Sequence, residues 1–150
     1  MPSTKDRLQD DVKAALKAGD RARLGVLRMV MAAIKQREVD SRETLDDTAV
    51  LSILEKMVKQ RQDAIGQFER GGRSDLVAKE TAEIDVIRAY LPEPLDGAAV
   101  TALIEAAISD TGAAAPSDMG RVMAEIKKNA AGRVDMGQVS QLVRARLSAN

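Results

Sequence analysis

The sequence predicts an all-α protein, a helical N-terminal unit of about four helices followed by a small C-terminal three-helix bundle. Three observations lead there. Apolar residues recur at the i, i+3, i+4, i+7 spacing of an amphipathic helix along most of the chain. Aromatic residues make up 1% of the 150 positions, only Phe68 and Tyr90, so the core must be built from Leu, Ile, Val, Met and Ala. Asp, Ser, Gly and Pro stand between the amphipathic stretches, where helices start and stop.

Ser3, with Asp6 three residues on, opens a first short helix whose apolar positions are Leu8, Val12, Ala15 and Leu16, and Gly19 ends it. Asp20 caps a second helix running to about Asp40, with Leu24, Leu27, Val30, Met31 and Ile34 on one face. Between Arg21 and Arg37 this helix carries five cations and no acid, and Arg21, Arg28 and Lys35 line one edge of its apolar face. Thr44 to Asp47 restarts the helix, and a third, with Leu51, Leu54, Met57, Val58, Ile65 and Phe68 inward, runs to Arg70 before Gly71 and Gly72. Ser74 is placed as the cap of a fourth helix holding Val77, Ile84, Ile87 and Leu91.

The segment YLPEPL, Tyr90 to Leu95, contains two prolines, each of which pushes the residue before it toward extended geometry. A domain boundary is expected there, with an N-terminal domain over residues 1–91, a linker around 92–94 and a C-terminal domain over residues 95–150. In the second domain Asp96 caps a helix with Val100, Leu103, Ile104, Ala107 and Ile108, which Gly112 closes. Met119, Val122, Met123 and Ile126 form the stripe of the next helix, with Ser117 as its expected cap. The last helix carries Met136, Val139, Leu142, Val143 and Leu147.

Twenty-three bases against twenty-three acids give net charge +0, so any electrostatic attraction must be local. The chain has no Cys and no His, which removes thiolate nucleophiles, the usual zinc ligands and the side chain most used for proton transfer near neutral pH. No catalytic residue, metal site or cofactor is expected. Glu80 and Glu83, at i and i+3, are the nearest approach to a carboxylate pair, and they lack a companion nucleophile. The N-terminus has no apolar h-region, and no run reaches the roughly 18 apolar residues of a membrane span. A cytoplasmic location without membrane contact is the expectation.

Charge is unevenly placed in the second domain. Residues 91–116 hold four acids and no base, whereas residues 117–150 hold six bases against three acids. Lys127, Lys128 and Arg133 gather around a helix end and the glycine turn at Gly132, with Arg121 and Gly120 one to two turns earlier. Such cations either meet a phosphate or neutralise the helix C-terminal dipole. The stripe Arg21, Arg28 and Lys35 either contacts RNA or pairs with acids of the fourth helix, Glu80, Glu83 and Asp85, and pairing is the favoured expectation. With so few aromatics, RNA would be recognised by backbone and shape rather than by base stacking.

RLGVLRMVMAAIKQRE from Arg23, KQRQDAIGQFERGGRSDL from Lys59, AYLPEPL, DMGRVMAEIK and GRVDMGQVSQLVRARL together resemble, in order and spacing, the stand-alone members of the GatB/YqeY family. That family is similar to the tail of the B subunit of glutamine-dependent aminoacyl-tRNA amidotransferases, an all-helical module implied to contact tRNA. The resemblance implies tRNA or another structured RNA as partner, with Gly120, Arg121, Lys127, Lys128, Gly132 and Arg133 at the contact and Arg21, Arg28 and Lys35 as a secondary basic stripe. It also admits a protein-interaction module that docks on an amidotransferase or synthetase. The chain holds neither the cradle domain nor the amidase subunit of that enzyme, so a carbon–nitrogen ligase activity of its own is the least favoured expectation.

Overall fold

A computed structural model describes residues 3–149, and the described residues form seven α-helices and no strand. They are α1 (Thr4–Ala18), α2 (Arg21–Ser41), α3 (Asp47–Arg70), α4 (Ser74–Arg88), α5 (Gly97–Thr111), α6 (Met119–Ala130) and α7 (Met136–Ser148). The chain is all-α, and it divides into two compact units after Pro92.

Local chemistry sets most helix boundaries. The Ser3 hydroxyl accepts from the Asp6 amide at 3.1 Å while the Asp6 carboxylate accepts from the Ser3 amide at 3.4 Å, the reciprocal pair expected at the start of α1. Gly19 ends α1 at φ 72°, a left-handed conformation that a side chain disfavours. Asp20, Asp46, Asp96 and Asp135 each accept from backbone amides in the first turn of the helix that follows. Ser74 differs from its expected role. It is the first residue of α4, and Arg73 occupies the cap position with no side-chain bond to the helix.

The first unit packs α1 to α4 around Leu8, Leu27, Ile34, Leu54 and Ile87, none more than 1% exposed. Burying each such side chain contributes roughly 1.5–3 kcal/mol. Polar ties hold the helix ends in register. The Thr4 amide donates to Asp47 at 2.8 Å, and Glu38 accepts from Lys5 Nζ at 2.9 Å and from the Leu45 amide at 2.9 Å. The Leu45 amide, with the Lys5 ammonium, holds the Glu38 carboxyl below the usual carboxylate range. Tyr90 closes the unit: its hydroxyl donates to Asp11, Arg23 Nη2 donates to it at 3.4 Å, and Arg7 lies 5.2 Å over its ring.

Two apolar positions depart from their expected faces. Leu16 in α1 is 60% exposed and Leu142 in α7 is 43% exposed. At about 100° per residue each lies roughly 100° from the centre of its helix's buried stripe, at the edge the core does not reach.

The second unit packs α5, α6 and α7 around Ile104, Val122, Ile126, Val139, Val143 and Leu147, all at most 4% exposed. Val122 and Ile126, the centre of the predicted α6 stripe, are fully buried, and Met119 and Met123 pack at its margin. The core therefore fixes which face of α6 remains outside.

Candidate nucleic-acid interface

The outward face of α6 begins at a short 3-10 turn, Pro116–Asp118. Asp118, rather than the expected Ser117, occupies the cap position of α6, and its carboxylate bonds to the chain before the helix and not to amides of its first turn. Its Oδ2 accepts from the Ala114 amide at 3.0 Å and the Ala115 amide at 3.1 Å, and its Oδ1 accepts from Arg121 Nη2 at 2.7 Å. The Ala114 amide, the Arg121 guanidinium and the Ala115 amide together hold the Asp118 carboxyl down at about 2. Arg121 also donates from Nη1 to the Thr111 carbonyl at 2.9 Å, satisfying an open carbonyl at the end of α5. Arg121 thus joins the start of α6 to the end of α5.

Arg133 has a comparable internal role. Its Nε donates to the Glu93 carbonyl at 3.0 Å, and its own carbonyl accepts from the Leu95 amide at 2.9 Å. Gly132 beside it is buried and adopts φ 83°, which lets the chain reverse between α6 and α7.

Lys127 and Lys128 behave differently. Both are exposed in the last turn of α6, and neither makes an ion pair among the described residues. Gly120 is exposed as well, and a Cβ added there would meet nothing within 4 Å, so packing within the unit does not require glycine at that position. The predicted cluster thus separates into two structural cations, Arg121 and Arg133, and two free ones. Arg144 on α7 is a further exposed cation without an ion pair among the described residues, and no periodic pattern singles it out.

In the first unit, the expected pairing of Arg21, Arg28 and Lys35 with acids of α4 does not occur. Glu83 and Glu80 face Arg61 of α3 instead, at 3.6 and 4.0 Å from its Nε. These three side chains are at most 19% exposed, and Arg61 is held further by its Nη1 donating to the Met57 carbonyl at 3.2 Å. Glu80 and Glu83 turn toward α3, the helix against which α4 packs most extensively, and so do not reach the α2 stripe. Arg21, Arg28 and Lys35 are exposed with no ion pair among the described residues. The same pairing accounts for Glu80 and Glu83, whose carboxylates serve a structural guanidinium. No group of three or more acidic side chains stands together as a metal site among the described residues.

This arrangement of two helical units meets a family match. The model of the family described as YqeY, Yqey-like protein, matches residues 5–147. The chain belongs to the YqeY-like protein family. A relative from Pyrenophora tritici-repentis, named altered inheritance of mitochondria protein 41, mitochondrial, is 32% identical over 142 residues, 91% of this chain and 77% of that protein. Proteins of the same name from Eremothecium gossypii and Lachancea thermotolerans are 41% and 38% identical over 85 residues, 56% of this chain. The chain spans about half the length of those two curated relatives, 46% of each.

These names correct one expectation. The relatives are named as mitochondrial proteins, which overturns the cytoplasmic location inferred from the sequence. That inference rested on the lack of an apolar h-region and membrane span. Neither bears on an organelle address, because transit peptides are amphipathic and basic rather than apolar. Among the described residues no single helix is long and apolar enough to cross a membrane.

Proposed function

We propose that this YqeY-like protein is a non-catalytic binder of structured RNA, of the tRNA class, and that the end of α6 makes the contact. The observation that carries this reading is the pair Lys127 and Lys128. They are exposed, they make no ion pair among the described residues, and they stand where two neighbouring arginines are already committed to main-chain carbonyls. Free lysines beside a tight turn suit the phosphate backbone, where ammonium groups act as point charges and displace counterions. The near absence of aromatics supports recognition by backbone and shape instead of by base stacking. Resemblance to the amidotransferase tail supports tRNA as the RNA class.

Arg121 and Arg133 act in this reading as supports that hold the lysine-bearing turn, and Gly120 leaves bare backbone on the same helix. Two phosphate contacts give a salt dependence of log K against log salt of about −1.4 to −1.8. Photocrosslinking the full chain to a tRNA and mapping the attached peptides tests the assignment. Crosslinks at the end of α6 and the Gly132 turn are expected; crosslinks confined to α1–α4, or none above those of a protein of matched charge, would contradict it.

A further inference from the structure

Where α1 turns into α2, the first unit carries an open groove of about 480 Å³, lined by Leu16, Gly19, Arg21, Leu24, Gly25 and Arg28 among others. We infer that this groove docks an acidic amphipathic helix of a partner protein. The inference is independent of RNA binding by the second unit.

The apolar part of the groove comes mainly from Leu16, 60% exposed, with Leu24, 8% exposed, also in its lining. Gly25 lies inside α2, where glycine costs roughly 1 kcal/mol relative to Ala. A Cβ there would meet nothing within 4 Å, so packing within the unit gives no reason for it. A bare stretch of helix backbone permits another helix to approach closely. The charged part comes from Arg21 and Arg28, and Lys35 extends it along α2. All three are free of ion pairs among the described residues, and Glu80 and Glu83 of α4 face Arg61 instead. Seven residues separate successive members, about 10.5 Å along the helix.

A partner helix with a carboxylate every seventh residue presents the same repeat, and an apolar side chain between those carboxylates can sit over Gly25 against Leu16 and Leu24. Charge complementarity selects this occupant over a second copy of the chain, which would bring Arg21 and Arg28 against their own like in a two-fold contact. An RNA backbone uses the cations and leaves Leu16 in water.

The test uses the full chain, with backbone amides followed by NMR, and a synthetic 18-residue helical peptide bearing Leu at i, i+3, i+7 and Glu at seven-residue spacing. A peptide with Lys for each Glu is the control. The Glu peptide is expected to shift amides from Ala15 to Arg28, and the Lys peptide is not. R21E with R28E should weaken the Glu peptide at least about tenfold and admit the Lys peptide. Gly25→Leu keeps the charge and fills the groove, and it should abolish binding with the helix content unchanged by circular dichroism. Shifts that fall outside α1 and α2, equal affinity in either variant, or a tRNA that moves the same amides more strongly than the Glu peptide would each overturn the inference.

Discussion

Arg133 holds Glu93 through the main chain: its Nε donates to the Glu93 carbonyl at 3.0 Å, while its own carbonyl takes the Leu95 amide at 2.9 Å. Two residues that flank the turn after α6 and the entry to α5 are thereby clamped together. Arg133→Ala should therefore lower the stability of the second unit by about 0.5–1.5 kcal/mol, the usual contribution of one such bond. Urea unfolding followed by circular dichroism measures it. Lys127→Ala in the same assay should stay within about 0.5 kcal/mol of the parent, as an exposed unpaired side chain does.

Tyr90 is the one tyrosine of the chain, so its ionisation can be followed cleanly by ultraviolet absorbance. Burial, and then its hydrogen bond to Asp11, push its hydroxyl up to about 12. A raised folded-state value means that its contribution to stability is complete below about 10, the value of an unfolded tyrosine, and is lost as pH rises through 12. The titration midpoint should fall near 12, and Tyr90→Phe should remove this alkaline loss while costing about 1–2 kcal/mol at neutral pH through the missing bond to a charged acceptor. A midpoint near 10 would contradict the packing of Tyr90.

Asp118 predicts the opposite pH response. Its carboxyl is depressed to about 2, so its contribution is complete above the ordinary value of 3.8 and is lost as pH falls through 2. Carbon-detected NMR of the carboxyl should show that midpoint, and the Arg121 side-chain signals should move with it. A midpoint close to 3.8 would mean that the Ala114, Ala115 and Arg121 bonds do not persist in solution.

Gly120→Ala separates fold from contact. A methyl group there meets no neighbour within 4 Å, and alanine favours helix over glycine by up to about 1 kcal/mol. Stability of the second unit should rise, while tRNA affinity falls if RNA packs against the bare helix. Unfolding and filter-binding measurements on the one variant give both numbers.

Which parts of this molecule could be read from the sequence follows from the range of the forces involved. The caps Ser3, Asp20 and Asp96 were legible because a cap involves residues two or three apart. The stripe centres Val122 and Ile126 were legible from helical period alone, whereas Leu16 and Leu142, at the edges of their stripes, depend on how far a neighbouring helix extends. Ion pairing was not legible. Whether Glu80 and Glu83 reach Arg61 or the α2 stripe depends on which helices pack together, and period carries no information about that. For the same reason Arg121 and Arg133 looked like Lys127 and Lys128 in the sequence, although their acceptors, the carbonyls of Thr111 and Glu93, lie ten and forty residues away.

The most direct test of the account is tRNA binding by the full chain and by K127E/K128E, each measured from low to physiological salt. Both lysines are exposed and unpaired among the described residues, so the variant should remain folded. At low salt its affinity should fall at least about tenfold, and the slope of log K against log salt should flatten by about 1.4 to 1.8. Unchanged affinity and slope in a folded variant would contradict the claim that the end of α6 binds RNA.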